Sequence, residues 1–399
     1  MKEFNFHVKP IGLLDMLHFK TLVPNRQKKL SQGSLEPVTS VYKVNRLASF
    51  LHPRSQRATV SEVIEHGDIA KTYILSGTGL APFRAGQYVS VRLNINGSVL
   101  TRPYSISSSP AWVKEGKYAI TVKRTAENFA SGWILENWKA GTEVSMSGPE
   151  GTFYYEPLRD ARHVIGVAGG SGITPFLSMA YAIRDGIEDF ELTILYGSRC
   201  EADILFREEL EAIARECEKV KIANVLSDEQ NERFDCGFIT AELISKYVKD
   251  KPYSLFLCGP AAMYAFLEKE IEKLSLERKY VRRELMAAPS SPAGIKGYPG
   301  DETKVYSLTV NMFGNTQTIP MKACETVLTA LERAGINAPS RCRSGECGWC
   351  RSLLQKGEAF TPAQFDGRRM ADIKTGHIHP CCAYPLSDLT IEIWPEQEG

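Results

Sequence analysis

Four cysteines carry the sharpest chemical signal in the sequence. Cys342, Cys347 and Cys350 follow a C-x4-C-x2-C spacing, and Cys381 lies further along the chain. This is the spacing of thiolate ligands around a 2Fe–2S cluster. Four thiolates must converge on two bridged irons, and a tight loop can supply three of them. The small residues Ser344, Gly345 and Gly348 keep the backbone close, so that its N–H groups can bond the sulfurs. A zinc ion also takes four cysteines, but structural zinc sites usually pair two short knuckles, and the far side here has none. Cys382 adjoins Cys381. Neighbouring residues do not readily bind one tetrahedral zinc ion together, which also argues against zinc.

Three further strings suit nucleotides. In Arg102-Pro103-Tyr104-Ser105, after the apolar segment 98–101, a guanidinium can grip a phosphate and an aromatic ring can stack on an isoalloxazine. The hydroxyl can bond the ring nitrogen that receives a hydride. Such a tetrapeptide alone is more often an ordinary strand end. Gly169-Gly170-Ser171-Gly172-Ile173-Thr174-Pro175 ends an apolar strand and opens a helix. Gly169, Gly170 and Gly172 let backbone amides approach a pyrophosphate, Thr174 is expected to cap the helix, and Pro175 fits its first turn. This is not the G-x-G-x-x-G fingerprint, because Pro175 holds the third glycine position. Cys258-Gly259-Pro260 follows another buried strand, where the plain reading is a buried thiol before a tight turn.

The surrounding elements must place these strings together. Residues 57–155 alternate β-branched residues with turn signals, which predicts an antiparallel barrel or sandwich interrupted by one helix. Residues 162–285 alternate continuous apolar runs with helical patterns, which predicts a parallel sheet covered on both faces. Residues 287–302 have linker composition. Residues 304–399 read as an α+β unit: a strand pair, a helix with Val327, Leu328, Leu331 and Ala334 on one face, Gly335 at its C-terminal end, the cysteine loop and a closing strand.

The composition excludes several classes. The chain has 399 residues and a net charge of +1, so no overall field favours nucleic acid or an anionic surface. It has no run of about 18 apolar residues, which argues against a membrane span. The N-terminus lacks the order of a secretion signal. Of the ten cysteines, five crowd into positions 342–382 and the rest are scattered, and the expectation is an intracellular, cytoplasmic protein. Residues 1–55 show no clear period and carry nine Lys/Arg against three Asp/Glu, a local net of 9 − 3 = +6. They read as a basic strap over the acidic remainder, or as a docking arm.

Residues 304–394, including Cys381-Cys-Ala-Tyr-Pro-Leu-Ser-Asp, resemble a plant-type ferredoxin, whose ligand four residues before the proline selects Cys381; the resemblance leaves Cys382, at a position the family does not use for ligation, as the fallback ligand. Residues 56–285 resemble the ferredoxin–NADP⁺ reductase superfamily, whose flavin signature is R-x-Y-S. That resemblance implies a flavin on Arg102, Tyr104 and Ser105, with Pro103 between them. It implies a second flavin contact at the helix start Asn128-Phe-Ala-Ser131, where Ser131 fits and Asn128 replaces the usual glycine, and an added phosphate contact from Lys123. FAD is favoured over FMN. The G-G-S-G-I-T-P string matches the superfamily's pyridine-nucleotide turn, and C-G-P is expected beside the nicotinamide. Ser198 and Arg199 then lie by the adenosine ribose, which leans to NADPH over NADH because no acid appears before Glu201. Glu284 resembles an acidic residue near the flavin, although a surface strand glutamate reads equally well. Ser105, Cys258 and Glu284 are the candidate catalytic residues.

The domain order resembles phthalate-dioxygenase-type reductases. The expected fold is a basic extension (1–55), an antiparallel β-barrel flavin domain (56–157), a Rossmann-like NAD(P) domain (158–285), a linker (286–303) and a β-grasp 2Fe–2S domain (304–399). The expected function is an NAD(P)H-dependent reductase. A nicotinamide yields two electrons as hydride and the cluster accepts one at a time, so a flavin must stand between them. Electrons would then leave to a partner protein such as an oxygenase or hydroxylase, docked on Arg341, Arg343, Arg351 and Trp349 unless these form only a solvated rim. The alternatives are an electron-transfer subunit that does not oxidise free NAD(P)H, and a redox sensor, for which no DNA-binding motif is present.

Overall fold

The computed structural model describes residues 13–33, 42–125, 129–230, 232–248, 251–284, 288 and 291–394. The chain divides into two compact units, residues 1–49 and 50–399. The N-terminal stretch is not aperiodic as read. It forms α1 (Leu13–Ser31) and α2 (Lys43–Leu51). In α2, Val44, Leu47 and Phe50 recur every third residue, a helical stripe too short to stand out in sequence, and all three are exposed. No helix among the described residues is long and apolar enough to cross a membrane.

The second unit begins with six antiparallel strands. They are β1 (Gln56–His66), β2 (Ala70–Ser76), β3 (Tyr88–Ile95), β4 (Ser98–Ser105), β5 (Lys117–Lys123) and β6 (Glu143–Met146). Their order is β4-β3-β6-β1-β2-β5, and a bridge between Ile106 and Ile120 joins the outer strands, so the sheet curls into a barrel. Inward residues such as Val89, Val91, Tyr118 and Ile120 form one core with Ile134 and Leu135 of α3 (Ala130–Asn137). The R-P-Y-S string does not follow a strand but lies within β4. Pro103 lacks an N–H, and β4 is an outer strand, where that loss breaks no ladder.

Next come β7 (His163–Gly169), α4 (Thr174–Arg184), β8 (Glu191–Ser198), α5 (Arg207–Glu216), β9 (Val220–Leu226), β10 (Asp235–Cys236), α6 (Ala241–Val248), β11 (Tyr253–Cys258), α7 (Ala261–Lys273) and β12 (Val281–Glu284). All six strands are parallel, in the order β10-β9-β8-β7-β11-β12. Every residue of β7 is buried, as a strand covered on both faces requires. The chain reverses direction across the sheet between β7 and β11, and ligands bind at such switch points.

The last sheet uses β13 (Val305–Met312), β14 (Asn315–Lys322), β15 (Ser352–Lys356), β17 (His377–Ile378) and β19 (Leu389–Ile393), in the order β14-β13-β19-β15-β17. A separate pair, β16 (Ala359–Phe360) and β18 (Tyr384–Pro385), lies outside it, and α9 spans Met370–Lys374. Strands β13 and β19 are parallel and the other neighbours antiparallel, the β-grasp pattern. The helix α8 (Val327–Arg333) buries Val327, Ala330 and Leu331 against the sheet, while Leu328 packs on Cys350 and Cys381 of the cysteine loop, and Gly335 closes the helix at φ 72°.

The barrel domain is fixed to the parallel sheet by Arg282 of β12, which is itself held by a buried ion pair. Arg282 Nε donates to Asp160 Oδ1 at 3.0 Å, and Arg282 Nη1 donates to the Thr152 carbonyl at 2.8 Å. Phe153 meets Phe176 and Phe256 at ring separations of 5.7 and 5.3 Å. Arg282 stands two residues before Glu284 on β12, so this joint also sets the height of the candidate carboxyl.

Candidate active site and cluster loop

One cavity of about 1130 Å³ is lined from all three sheets. The barrel contributes Arg102, Pro103, Tyr104, Ser105, Lys123 and Ser131. The parallel sheet contributes Gly169, Gly170, Gly172 and Thr174 with Cys258, Gly259 and Pro260. The β-grasp domain contributes Glu332, Arg343 and Cys381.

Tyr104 and Ser105 end β4, and Ser105 pairs with Tyr88 on β3. Arg102 Nη1 donates to the Thr101 carbonyl at 2.8 Å and lies 3.6 Å from Glu332. Burial, and then the neighbouring Arg343, lower its pKa to about 10, so it stays charged at neutral pH. Ser131 Oγ lies 3.0 Å from Thr125 Oγ1, at the start of α3. Asn128 lies outside the described residues.

The glycine turn after β7 is a short 3₁₀ segment, Gly170–Ile173, leading into α4. Thr174 is not the cap. It is the first helical residue, and its hydroxyl turns back to the Ser171 carbonyl at 3.0 Å because the 3₁₀ turn leaves that acceptor within reach. Pro175 occupies the first turn. Gly170 has φ 54°, and a Cβ there would lie 3.6 Å from Lys123 Nζ, so the barrel lysine and this turn face the same space. At Gly172 a Cβ would collide with the Cys258 carbonyl. The two motifs therefore touch at the switch point, leaving a backbone cradle that suits a pyrophosphate.

Ser198 ends β8 and Arg199 follows it. The Ser198 hydroxyl is buried with no hydrogen-bond partner among the described residues, which fits a ribose at this edge. Arg199 Nε donates to Asp203 Oδ2 at 2.9 Å. An acid thus stands on Arg199 after all, brought back by a short 3₁₀ turn that sequence order conceals. Glu284 is no surface residue. It is buried opposite Cys258, and burial, aided by Glu346, pushes its carboxyl well above the ordinary carboxylate range. Burial likewise raises the Cys258 thiol.

In the cysteine loop, Ser344 N and Cys347 N each lie 3.4 Å from Cys342 Sγ, and Trp349 N lies 3.4 Å from Cys347 Sγ. Backbone donors aimed at sulfur are the donor set a 2Fe–2S centre uses. Gly345 (φ 82°) lets the loop pass the Phe365 carbonyl. Cys342 reaches Cys347 and Cys381, and Cys381 reaches Cys350, so the thiols ring a volume. Among the described residues no three His, Cys, Asp or Glu side chains close on a single metal ion. The buried Ser344 hydroxyl has no partner among the described residues and fits a loop shaped around a further group. Cys382 also meets Cys381, and its Sγ lies 3.4 Å from the carbonyls of Phe365 and His379.

Two arginines of the expected docking face are engaged within the molecule. Arg341 pairs with Glu150 of the barrel, donates to the Arg54 carbonyl at 2.8 Å and lies 3.4 Å over the Trp349 ring. Arg343 pairs with Glu332 at 2.5 Å. Arg351 is the more open one, 3.3 Å from Asp372. Sequence reasoning missed Glu332 and the link from Thr101 Oγ1 to the Ser340 hydroxyl at 2.7 Å. Glu332 left one signal: it follows Leu328 by four positions and so shares the apolar stripe of α8.

The chain matches three family models: an oxidoreductase FAD-binding domain over residues 76–155, an oxidoreductase NAD-binding domain over 167–269 and a 2Fe-2S iron-sulfur cluster binding domain over 310–386. The cofactors are accordingly FAD, a nicotinamide nucleotide and one 2Fe–2S cluster. The chain is 28% identical over 326 residues to the glycine betaine monooxygenase reductase subunit of Chromohalobacter salexigens, covering 78% of this chain and 87% of that one. It is 28% identical over 347 residues to the ferredoxin reductase component of 3-ketosteroid-9-alpha-monooxygenase from Mycolicibacterium smegmatis, covering 82% and 94%. Among solved structures, phthalate dioxygenase reductase superposes with a TM-score of 0.60 at 26% identity, over 85% of this chain and 98% of that one.

Proposed function

Because this chain belongs to the ferredoxin–NADP⁺ reductase superfamily and carries a plant-type 2Fe–2S domain in the order of phthalate dioxygenase reductase, we propose that it is the reductase component of an oxygenase system. It oxidises NAD(P)H and delivers electrons singly to a partner protein. The observation that carries this reading is the shared cavity: nicotinamide turn, flavin strand and a cluster cysteine, Cys381, line one space.

The domains are 1–55, 56–157, 158–285 and 304–399, with 286–303 as linker. When bound, the flavin supplies the conversion from hydride to single electrons. Around it, Arg102 and Lys123 would hold phosphate, Tyr104 would pack on the flavin ring, and Ser105 would offer its hydroxyl to a ring nitrogen. Ser131 closes the flavin end. Gly169, Gly170, Gly172, Thr174 and Pro175 form the nucleotide turn, and Ser198 and Arg199 take the adenosine ribose. Cys258, Gly259 and Pro260 flank the nicotinamide, and Glu284 backs Cys258. Cys342, Cys347, Cys350 and Cys381 bind the cluster. The setting is the cytoplasm.

Stopped-flow mixing of the purified protein with NADH or NADPH tests the reading. Rapid bleaching of the flavin band, followed by cluster reduction, is expected. No bleaching with either nucleotide sinks it in favour of a subunit fed by another flavoprotein.

A further inference from the structure

Two arginines from different domains share one carboxylate at the wall of the cavity. Arg102 comes from barrel strand β4, Arg343 from the cysteine loop and Glu332 from the end of α8. Arg343 Nη1 lies 2.5 Å from Glu332 Oε1, with side chains 12% and 9% exposed. Arg102 Nη1 stands off at 3.6 Å, with its side chain 24% exposed. Apart from the Thr101 carbonyl bonded by Arg102, the two guanidiniums have no further hydrogen bond or ion pair among the described residues. Most of their N–H donors are therefore unspent, and both groups line the cavity. Two partly buried cations against one carboxylate leave a net positive charge, the complement of a phosphate ester.

Arg343 is also held in a backbone conformation that residues with a Cβ rarely adopt, at φ 59°. A non-glycine residue there costs about 1 kcal/mol or more and persists only when its surroundings impose it. Here its carbonyl accepts from Ala288 N at 3.0 Å and its side chain is pinned by Glu332. The loop is thus turned so that the residue next to Cys342 points its charge into the flavin cavity.

We infer that Arg343 is a phosphate ligand of the flavin nucleotide, supplied by the ferredoxin domain. The inference rests on the proposal that Arg102 holds the flavin phosphate. It makes flavin binding and docking of the ferredoxin domain one coupled event. By reciprocity, the domain strengthens flavin binding as much as flavin strengthens docking. Glu332 is a positioning residue, touching both arginines and not the nucleotide.

The test titrates flavin-depleted, full-length protein with FAD, FMN and riboflavin, following flavin fluorescence. Riboflavin lacks the phosphate. Arg343→Gln should weaken FAD and FMN about tenfold, the scale of a lost charged hydrogen bond, and leave riboflavin within about twofold. Arg343→Lys should restore part of the loss. The double variant Glu332→Gln/Arg343→Gln leaves no orphaned carboxylate and should still bind FAD at least about fivefold more weakly than the parent. It carries the comparison should the single variant fail to keep its cluster. Equal losses for FAD and riboflavin, or no loss, overturn the inference. Arg102→Gln separates the two levels. If it weakens FAD selectively while Arg343→Gln does not, only the present inference falls. If neither is selective, the assignment of Arg102 falls as well.

Discussion

Cys258 and Glu284 stand opposite each other in register on the parallel strands β11 and β12, with both side chains buried. Tyr264 bonds the backbone on both strands, donating to the Leu257 carbonyl at 3.1 Å and to that of Glu284. The thiol and the carboxyl are both pushed upward, so each holds its proton more tightly than it would in water.

Glu284 should make stability fall with pH. Burial raises its folded pKa well above the ordinary 4.5. Between those two values the folded chain holds a proton that the unfolded chain has lost, so stability present below about pH 4.5 drains away as pH rises, by up to about 1.4 kcal/mol per unit. Glu284→Gln removes this slope. Its melting temperature relative to the parent should climb as pH rises above about 4.5, and a difference that stays flat would contradict the assignment.

Gly172→Ala should damage the nucleotide turn. Its Cβ would collide with the Cys258 carbonyl, a rigid neighbour. Overpacking of this kind costs about 1–3 kcal/mol. A melting temperature lowered by several degrees and at least about tenfold weaker NAD(P)H binding are expected. Gly170→Ala meets only a lysine tip and should lose about 1 kcal/mol through its positive φ.

The adjacent cysteines should separate cleanly. Cys381 lines the cavity, whereas Cys382 Sγ lies near the Phe365 and His379 carbonyls. Cys381→Ala should lose most of its iron and acid-labile sulfide, while Cys382→Ala keeps about two irons per chain and the visible spectrum of the parent. Loss in the second variant and not the first would reverse the ligand assignment.

Coenzyme choice should turn on Asp203, which holds Arg199 at 2.9 Å and so opposes a 2′-phosphate. NADH is expected to be preferred. Asp203→Asn frees the guanidinium and should raise kcat/KM for NADPH about five- to tenfold with NADH little changed. An unchanged ratio would place the 2′ position elsewhere.

Much of this was legible in the residues. The cysteine loop announces itself because thiolate spacing is fixed by the cluster, and β7 and β11 read as buried strands because both faces are covered. What escaped was mostly long-range. Glu332 and Arg102 are far apart in sequence, and nothing local marks either as the other's partner. Asp203 returns to Arg199 through a short turn, and Arg341 spends itself on Glu150 of another domain. Thr174 failed as a cap for a local reason, since the 3₁₀ turn before it moved the helix start by one residue. Glycine runs signal a turn more clearly than they specify its type.

The cysteine loop has an inside and an outside. Cys381 lines the shared cavity, whereas Cys347 is the exposed thiol of the set. A cluster held by these four cysteines would have one side toward the cavity and the other toward solvent, and a partner protein could then collect electrons at Cys347 without entering the nucleotide site.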